Sequence, residues 1–490
     1  MATLNPMKLL RLARILAFTA LFLSLMARLR FPTRLAGKLN AASLQPLGKL
    51  LAAILFMLII PAKLVGGAFS PLFILVGAIG ALYAAHKADF GTATTAALAA
   101  LVSSHALARL HAAQADFERS LSKVRSWSSF SRPAGASLPC LAGRKTSPGK
   151  ARCQRDFIFG ASSVTGKMLR CNIWQPPVGV SPSGLALLYF HASAWQALDY
   201  GLTMQPLLRH LAEQGHVVMD VGYTLAPEAD LNGMLGDVRL AVEWMKAHAG
   251  DLGANPQRVV LMGASGGGHL ALLAAYSSNL SVAGVVACYA PTDMTRHFAE
   301  YGQMEPRQPP SSEQITGEMR PRIHDASLLD RLLTRWRIWP AYRYQNMPGG
   351  ALLLVNLLGG TPGELPVAYH MASPLYHARR DCPPTLQIYG AHDFYFPAEH
   401  GRRLHHALLD CGATSVYLEL PYAEHGFDSF AWRISPSAQA AVEAIEHFLA
   451  VMVYSAGSKS IPCEPVTPKS AAQRVKSADK LTANPYRSLL

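Results

Sequence analysis

The sequence predicts a doubly wound α/β domain that follows a membrane-anchoring helical region. From about residue 154 to residue 453, short apolar runs alternate with helical stretches, as in proteins built from strand–helix units. Several of these runs are apolar at nearly every position, which is typical of strands covered on both faces of a parallel sheet. The N-terminal third instead carries long uncharged runs flanked by Lys and Arg.

Six strands and three helices can be placed in the C-terminal part. The strands are predicted at 185–190, 217–221, 258–263, 281–290, 385–390 and 415–420, and the helices at 235–249, 268–277 and 439–453. Residues 292–382 interrupt the alternation with Arg-, Pro- and Trp-containing sequence. We expect them to form an insertion or lid over the carboxyl edge of the sheet, where such folds bind ligands.

Residues 1–119 are predicted to form the membrane-anchoring region. The run 64–85 holds 22 uncharged residues, enough to cross a hydrocarbon core of about 30 Å. The run 15–27 is shorter, 50–62 could be a tilted or re-entrant partner, and 93–110 reads as an Ala-rich helix at the interface. We expect one to three spans, then a linker at 120–153, the catalytic domain at 154–453 and a disordered tail at 454–490.

The charge distribution excludes a nucleic-acid-binding function. The net charge is +14, but residues 1–153 carry 19 Lys/Arg against three acidic residues, whereas residues 154–490 are slightly acidic. Basic residues beside apolar runs indicate juxtamembrane charge and membrane lipids as partners. Five Lys/Arg lie between residues 28 and 49, which favours the cytosol for that loop. We therefore expect an anchored or multi-pass membrane protein, with the endoplasmic reticulum as a candidate location and the catalytic domain facing the cytosol.

The cysteines predict neither a metal site nor a disulfide scaffold. There are seven, at positions 140, 153, 171, 288, 382, 411 and 463, with no C-x-x-C pair. Free thiols in a reducing compartment explain them, and no metal or cofactor is expected.

Ser265 is the candidate nucleophile. It lies in Gly263-Ala264-Ser265-Gly266-Gly267, directly after a predicted strand and before a predicted helix. This strand–turn–helix context is that of a nucleophile elbow, in which a strained turn presents the serine Oγ. The Gly266 N–H at the start of the helix can then stabilise a developing oxyanion.

Asp393 and His425 are the candidate partners of this serine. A serine needs a base that is oriented by a carboxylate, and in this fold the three residues follow in the order Ser, Asp, His. Asp393 follows the strand 385–390, and His425 follows the strand 415–420. His392, His400, His405 and His406 are nearby alternatives to His425.

The second oxyanion donor is predicted on the loop after the strand 185–190. That loop reads His191-Ala192-Ser193-Ala194-Trp195. We expect the N–H groups of Ala192 and Ser193 to be the donors and His191 to brace the loop by hydrogen bonding.

The motifs together resemble those of the hormone-sensitive-lipase-like esterases, a group of α/β-hydrolases that includes carboxylesterases. The resemblance is carried by the loop after Phe190, by the run from Tyr223 to Glu228, by the elbow with His269, and by Glu424-His425-Gly426-Phe427. It covers roughly residues 155–453 and implies triad roles for Ser265, Asp393 and His425. The family usually has glycines after the loop histidine, where this chain has Ala192 and Ser193. We therefore expect the oxyanion hole, the site formed by these N–H donors, to be reshaped, narrowed or supplemented by the Ser193 hydroxyl.

Three functions fit this sequence. The leading hypothesis is hydrolysis of a carboxylic ester of a lipophilic or membrane-associated substrate through an acyl-enzyme, with a lipid, a prenylated product or a secondary metabolite as examples. Trp336, Trp339, Tyr342 and Tyr344 are candidate lining residues of its pocket. Acyl transfer, or cleavage of a thioester, amide or formamide, would use the same triad. A non-catalytic receptor or scaffold on this fold is the third.

Overall fold

A computed structural model describes residues 6–26, 28, 70–86, 89–124, 149–278, 280–301, 350–393, 395–428 and 435–455. The predicted linker lies mostly outside these ranges, as do the tail after residue 455, the run 50–62 and the four candidate lining aromatics between 336 and 344. The five cysteines within these ranges are free thiols.

A single eight-stranded sheet forms the centre of the C-terminal domain, in the order β1-β2-β4-β3-β5-β6-β7-β8. The strands are β1 (Arg152–Ala161), β2 (Met168–Gln175), β3 (Gly184–Phe190), β4 (Val217–Val221), β5 (Ala254–Ala264), β6 (Gly284–Cys288), β7 (Thr385–Gly390) and β8 (Ser415–Leu420). β2 pairs antiparallel with β1 and with β4, and the other neighbours are parallel. Parallel strands place their carboxyl ends at one edge, so the loops after β3, β5, β6, β7 and β8 meet there.

Helices cover both faces of this sheet. They are α4 (Gln205–Glu213), α5 (Leu231–Leu252), α6 (Gly266–Ser277), α7 (Met294–Tyr301), α8 (Gly350–Leu358), α9 (Pro366–Met371), α10 (Glu399–Asp410) and α11 (Pro436–Ser455), with a 3₁₀ turn at Pro374–His377. Every residue of β4, β6 and β7 is buried, as expected for strands covered on both faces, although β4 carries Asp220 and β7 carries Gln387. Two apolar cores, one on each face of the sheet, hold the domain together.

Three helices precede this domain: α1 (Pro6–Met26), α2 (Ser70–His86) and α3 (Phe90–Ser122). The sequence predicted one to three spans, with the run 64–85 as the longest. Among the described residues, α3 alone is long and apolar enough to cross a membrane by length and composition. The run 64–85 contributes the 17-residue α2, which is short for a span. The supposed interfacial run 93–110 belongs to the 33-residue α3, because Asp89 caps that helix and its apolar pattern continues to Leu121.

Candidate active site

Ser265 occupies a tight elbow between β5 and α6. Its backbone has φ 53° and ψ −124°, a conformation that non-glycine residues rarely adopt. The Ser265 N–H donates to the Cys288 carbonyl at 2.9 Å, and the His269 N–H donates to the Ser265 carbonyl at 2.9 Å. A Cβ at Gly267 would overlap the carbonyl of Phe190, so only glycine lets β3 and α6 approach this closely. The elbow is therefore built as the sequence predicts.

Asp393 and His425 form a buried hydrogen-bonded pair. His425 Nδ1 lies 2.8 Å from Asp393 Oδ2. The other carboxylate oxygen accepts the N–H groups of Tyr395 and Phe396 at 2.9 Å and 2.8 Å. The Asp393 carboxylate can only accept, so Nδ1 carries the hydrogen of this bond. The lone pair of the imidazole then lies on Nε2, which is the nitrogen that can act as a base. The arrangement is that of a base with its orienting carboxylate.

The Ser265 elbow and the His425 ring both contact the end of β6. Ser265 is tied to Cys288, and the next residue, Tyr289, packs its ring edge against His425 with centroids 4.6 Å apart. The Tyr289 hydroxyl donates to Asp428 Oδ1 at 2.7 Å. This bond anchors the loop that carries His425 to β6. Sequence reasoning missed both Tyr289 and Asp428, since their pairing spans 139 residues and neither belongs to a motif.

The loop after β3 is braced by buried side chains. Burial lowers the pKa of His191 to about 4, so the ring is neutral, and it stacks on Tyr223 with centroids 4.5 Å apart. His191 Nδ1 lies 3.3 Å from the Ala192 carbonyl. These contacts fit the predicted bracing role and do not place His191 as a base.

The Ser193 hydroxyl takes part in this bracing. Its Oγ lies 2.7 Å from the Tyr223 hydroxyl and accepts the Trp195 N–H at 2.9 Å. The Tyr223 hydroxyl also lies 2.9 Å from the His191 carbonyl, which can only accept. The Tyr223 hydroxyl is the donor towards both oxygens, so Ser193 Oγ accepts from Tyr223 as well as from Trp195. Ser193 Oγ also lies 3.2 Å from the position that a Cβ would take at Gly266, so the Ser193 hydroxyl stays a candidate oxyanion donor beside the backbone N–H groups.

Ala194 is a further candidate donor that sequence reasoning missed. Its backbone N lies 3.3 Å from the position that a Cβ would take at Gly266, closer to the elbow than the N–H of Ala192 or Ser193. Within the described part of the chain, the Ala194 N–H has no acceptor. Ala194 and Trp195 both have positive φ, 46° and 62°. Neither position is a glycine, so the sequence carries no signal for these angles, and Ala194 was not among the predicted donors.

Trp195 connects this loop to α6. Its fully buried indole N–H donates to His269 Nδ1 at 3.0 Å, and His269 Nε2 lies 2.7 Å from the Ala372 carbonyl. His269 accepts at Nδ1 and therefore donates from Nε2, which defines a neutral tautomer. Burial lowers the pKa of His269 to about 4, in agreement with that state. One imidazole thus ties together the loop, α6 and the returning end of the insertion.

The neighbouring histidines are engaged elsewhere. His400 Nδ1 accepts the Thr292 N–H at 3.2 Å, and burial lowers the pKa of His400 to about 3. His405 Nδ1 bonds the Ser415 hydroxyl at 2.9 Å. Across the described ranges, no cluster of three or more His, Cys, Asp or Glu side chains could hold a metal ion.

The strand order, the elbow and the Asp–His pair at neighbouring strand ends define an α/β-hydrolase fold. The chain has this fold and is similar in sequence to known esterases. A family model described as BD-FAE matches residues 171–324, less than a third of the chain.

The related proteins are esterases by name. "Probable carboxylic ester hydrolase LipM" of Mycobacterium tuberculosis is 27% identical over 65% of this chain and 68% of its own length. "Esterase LipQ" of the same organism is 26% identical over 57% of this chain and 59% of its own length. Among solved structures, the Est2 esterase of Thermogutta terrifontis is 20% identical, with a TM-score of 0.44 over 63% of this chain and 93% of that one. The chain thus spans between half and about two thirds of its mycobacterial relatives.

Proposed function

We propose that this protein is a serine hydrolase that cleaves carboxylic esters through an acyl-enzyme on Ser265. The observation that carries the proposal is the Asp393–His425 hydrogen bond at the sheet edge that also carries the Ser265 elbow. The names of the related proteins agree with an esterase. A non-catalytic scaffold would have no need of a strained serine and an intact base–carboxylate pair.

The proposed reaction uses these groups in turn. His425 Nε2 takes the Ser265 proton while Oγ adds to the ester carbonyl carbon, and the carbonyl oxygen becomes an oxyanion. The N–H groups of Gly266 and of the loop at Ala192, Ser193 and Ala194 face that charge. The intermediate then collapses, and the alcohol leaves with the proton from His425. A water molecule, deprotonated by His425, attacks the acyl-enzyme to release the acid and free Ser265.

Labelling with a fluorophosphonate probe tests this proposal. Wild-type protein should be labelled and Ser265→Ala should not, because the probe phosphonylates an activated serine. Ser277→Ala, on the same helix but hydrogen-bonded to the Leu273 carbonyl, is the matched control and should label like wild type. Labelling that persists in folded Ser265→Ala protein, or a folded wild type that does not label, would contradict the proposal.

The choice of base has its own test. His425→Ala should remain folded and lose ester turnover by at least about a hundredfold, as expected when a general base is removed. The control His405→Ala should retain turnover, since that ring bonds Ser415. Turnover that survives in His425→Ala would assign the base to another histidine.

We also propose that the protein is attached to a membrane and acts on a lipophilic ester. Support comes from α3, which is long and apolar enough to span a bilayer, and from the basic residues that flank the apolar runs.

A further inference from the structure

The three N-terminal helices pack through small residues, as helices do in lipid. A Cβ at Gly77 of α2 would lie 3.0 Å from the Ala100 Cβ and would overlap the Ala96 carbonyl of α3. Ser24 of α1 and Ser103 of α3 share a buried hydrogen bond of 2.9 Å. Close contact through Gly, Ala and Ser is the packing that membrane helices favour, because burying large apolar groups gains nothing there.

Charged residues mark two levels along this bundle. At the first level, Arg14 of α1 forms an ion pair with Asp89, the cap of α3, at 2.7 Å. At the second level are Arg28, just after α1, and Arg109 of α3. The span between the levels is about 21 Å along α1 and about 30 Å along α3, from the rise of an α-helix. Between them the three helices carry no Asp, Glu, Lys or Arg within the described residues. Along α3 this apolar band has the thickness of a hydrocarbon core, and along α1 it is shorter.

Large apolar side chains in the band point away from the protein. Phe18 is 71% exposed, Leu82 74% and Leu101 69%. Moving such side chains out of water is favourable, so a continuous band of them needs an apolar partner. Its thickness and its charged borders fit a lipid bilayer.

The second level of the bundle lies against the loop that carries His425. The Arg28 guanidinium sits 5.4 Å from the centre of the Tyr422 ring, and Tyr422 precedes His425 by three residues. Beyond Arg109, α3 continues along the catalytic domain, where Leu110, Phe117 and Leu121 join the core of β8 and α11. Glu118 bonds His447 at 2.6 Å, and Gln114 bonds Glu443 at 3.0 Å. One continuous helix thus joins the apolar band to the catalytic domain.

From this juxtaposition we propose that the apolar band is immersed in a bilayer and that the His425 loop lies at its headgroup level, so that the enzyme takes its ester directly from the membrane. The inference rests on the proposed esterase function and specifies its substrate class. The substrate is an amphiphile whose chain lies in the hydrocarbon and whose ester carbonyl lies at the headgroup level. A water-soluble short-chain ester reaches the same serine without the membrane.

Binding of the full chain to phosphatidylcholine vesicles tests the band. Wild-type protein should float with the vesicles, and Phe18→Asp/Leu101→Asp should lose at least tenfold in bound fraction, since two charges would enter the hydrocarbon. Leu409→Asp is the matched control, because Leu409 is 48% exposed but lies on α10, and it should bind like wild type. Equal binding by the double variant would overturn the immersion of the band.

Turnover on two esters then tests the position of the site. The double variant should cleave soluble p-nitrophenyl butyrate within about twofold of wild type but lose at least tenfold on p-nitrophenyl palmitate held in vesicles. Wild type should also prefer, by at least tenfold, a vesicle-held amphiphile with its ester at the headgroup over one with its ester near the terminal methyl. If butyrate is cleaved but neither difference is found, the membrane route is wrong. If folded wild type neither cleaves butyrate nor labels at Ser265, the esterase proposal itself fails.

Discussion

The backbone of Ser265 is strained, and the free energy of that strain can be measured. A non-glycine residue in such a region is strained by about 1–3 kcal/mol, and the surrounding hydrogen bonds hold it there. Glycine adopts positive φ without this penalty, whereas alanine keeps it. Ser265→Gly should therefore exceed Ser265→Ala in free energy of unfolding by about 1–2 kcal/mol, measured by urea denaturation. Equal stability of the two inactive variants would show that the elbow is unstrained.

Buried ionisable residues predict opposite effects of pH on stability. Burial lowers the pKa of His216 to about 4, below the ordinary 6.5 of an unfolded chain. The unfolded state then binds more protons between pH 6.5 and pH 4, so the stability from His216 is lost as the pH falls through that window. Burial raises the pKa of Asp220 from 3.8 to about 7. Here the folded state binds more protons, so the stability from Asp220 is lost as the pH rises from about 4 to about 7.

Unfolding measurements from pH 4 to pH 8 separate these two effects. His216→Gln should flatten the rise of stability with pH between 4 and 6.5, and Asp220→Asn should steepen it between 4 and 7. The two slopes should change in opposite directions by up to about 1.4 kcal/mol per pH unit for each proton. If both slopes change in the same direction, the protonation states assigned to His216 and Asp220 are wrong.

At the scale of elements, one indole helps to hold the geometry of the loop after β3. Ala194 and Trp195 are left-handed without being glycine, and the Trp195–His269 bond helps to hold them there. Trp195→Phe keeps the buried ring but removes the N–H, so the oxyanion donors should lose alignment. We expect kcat to fall about tenfold with KM little changed, the pattern of a lost transition-state contact. Trp174→Phe is the control, since that buried indole N–H has no partner among the described residues; an equal loss there would indicate a general packing effect.

The loop that carries His425 depends on its bond to β6. Tyr289→Phe removes the hydroxyl that holds Asp428 and leaves the ring against His425. The base should then be less well positioned, and we expect kcat to fall about three- to tenfold, with a shift in the acidic limb of the kcat–pH profile. Tyr276→Phe removes a similar buried bond, to Thr385, away from the site. If both variants lose stability but neither loses kcat, Tyr289 has only a structural role.

Elements buried on both faces were predictable, and elements defined by distant contacts were not. The strands predicted at 217–221, 385–390 and 415–420 match β4, β7 and β8, because buried strands consist mostly of apolar residues. The hairpin of β1 and β2 was missed, since β1 is largely exposed at the sheet edge and shows no such run. For the site, the order of motifs predicted the Ser265 elbow and the Asp393–His425 pair. The backbone angles of Ala194 and Trp195 follow from tertiary contacts and have no local sequence signal.

On the scale of the whole molecule, α3 belongs to two environments. Its first half is part of the apolar band, and its second half packs in the core of the catalytic domain. The helix runs without a break through residue 119, where the sequence suggested the end of the anchoring region. Truncation of the chain just after α3 therefore removes apolar contacts of the catalytic domain as well as the proposed membrane anchor.

Two truncated chains should reveal this division. A chain that begins at residue 149 lacks the Leu110, Phe117 and Leu121 side chains and the Glu118–His447 bond. Each lost apolar side chain removes up to roughly 1.5–3 kcal/mol of burial and uncovers its partners on β8 and α11. A chain that begins at residue 104 keeps these contacts but lacks most of the apolar band. We expect the longer chain to be soluble without detergent and to unfold at least about 5 °C above the shorter one by calorimetry. Equal unfolding temperatures would mean that the second half of α3 contributes nothing to the catalytic domain.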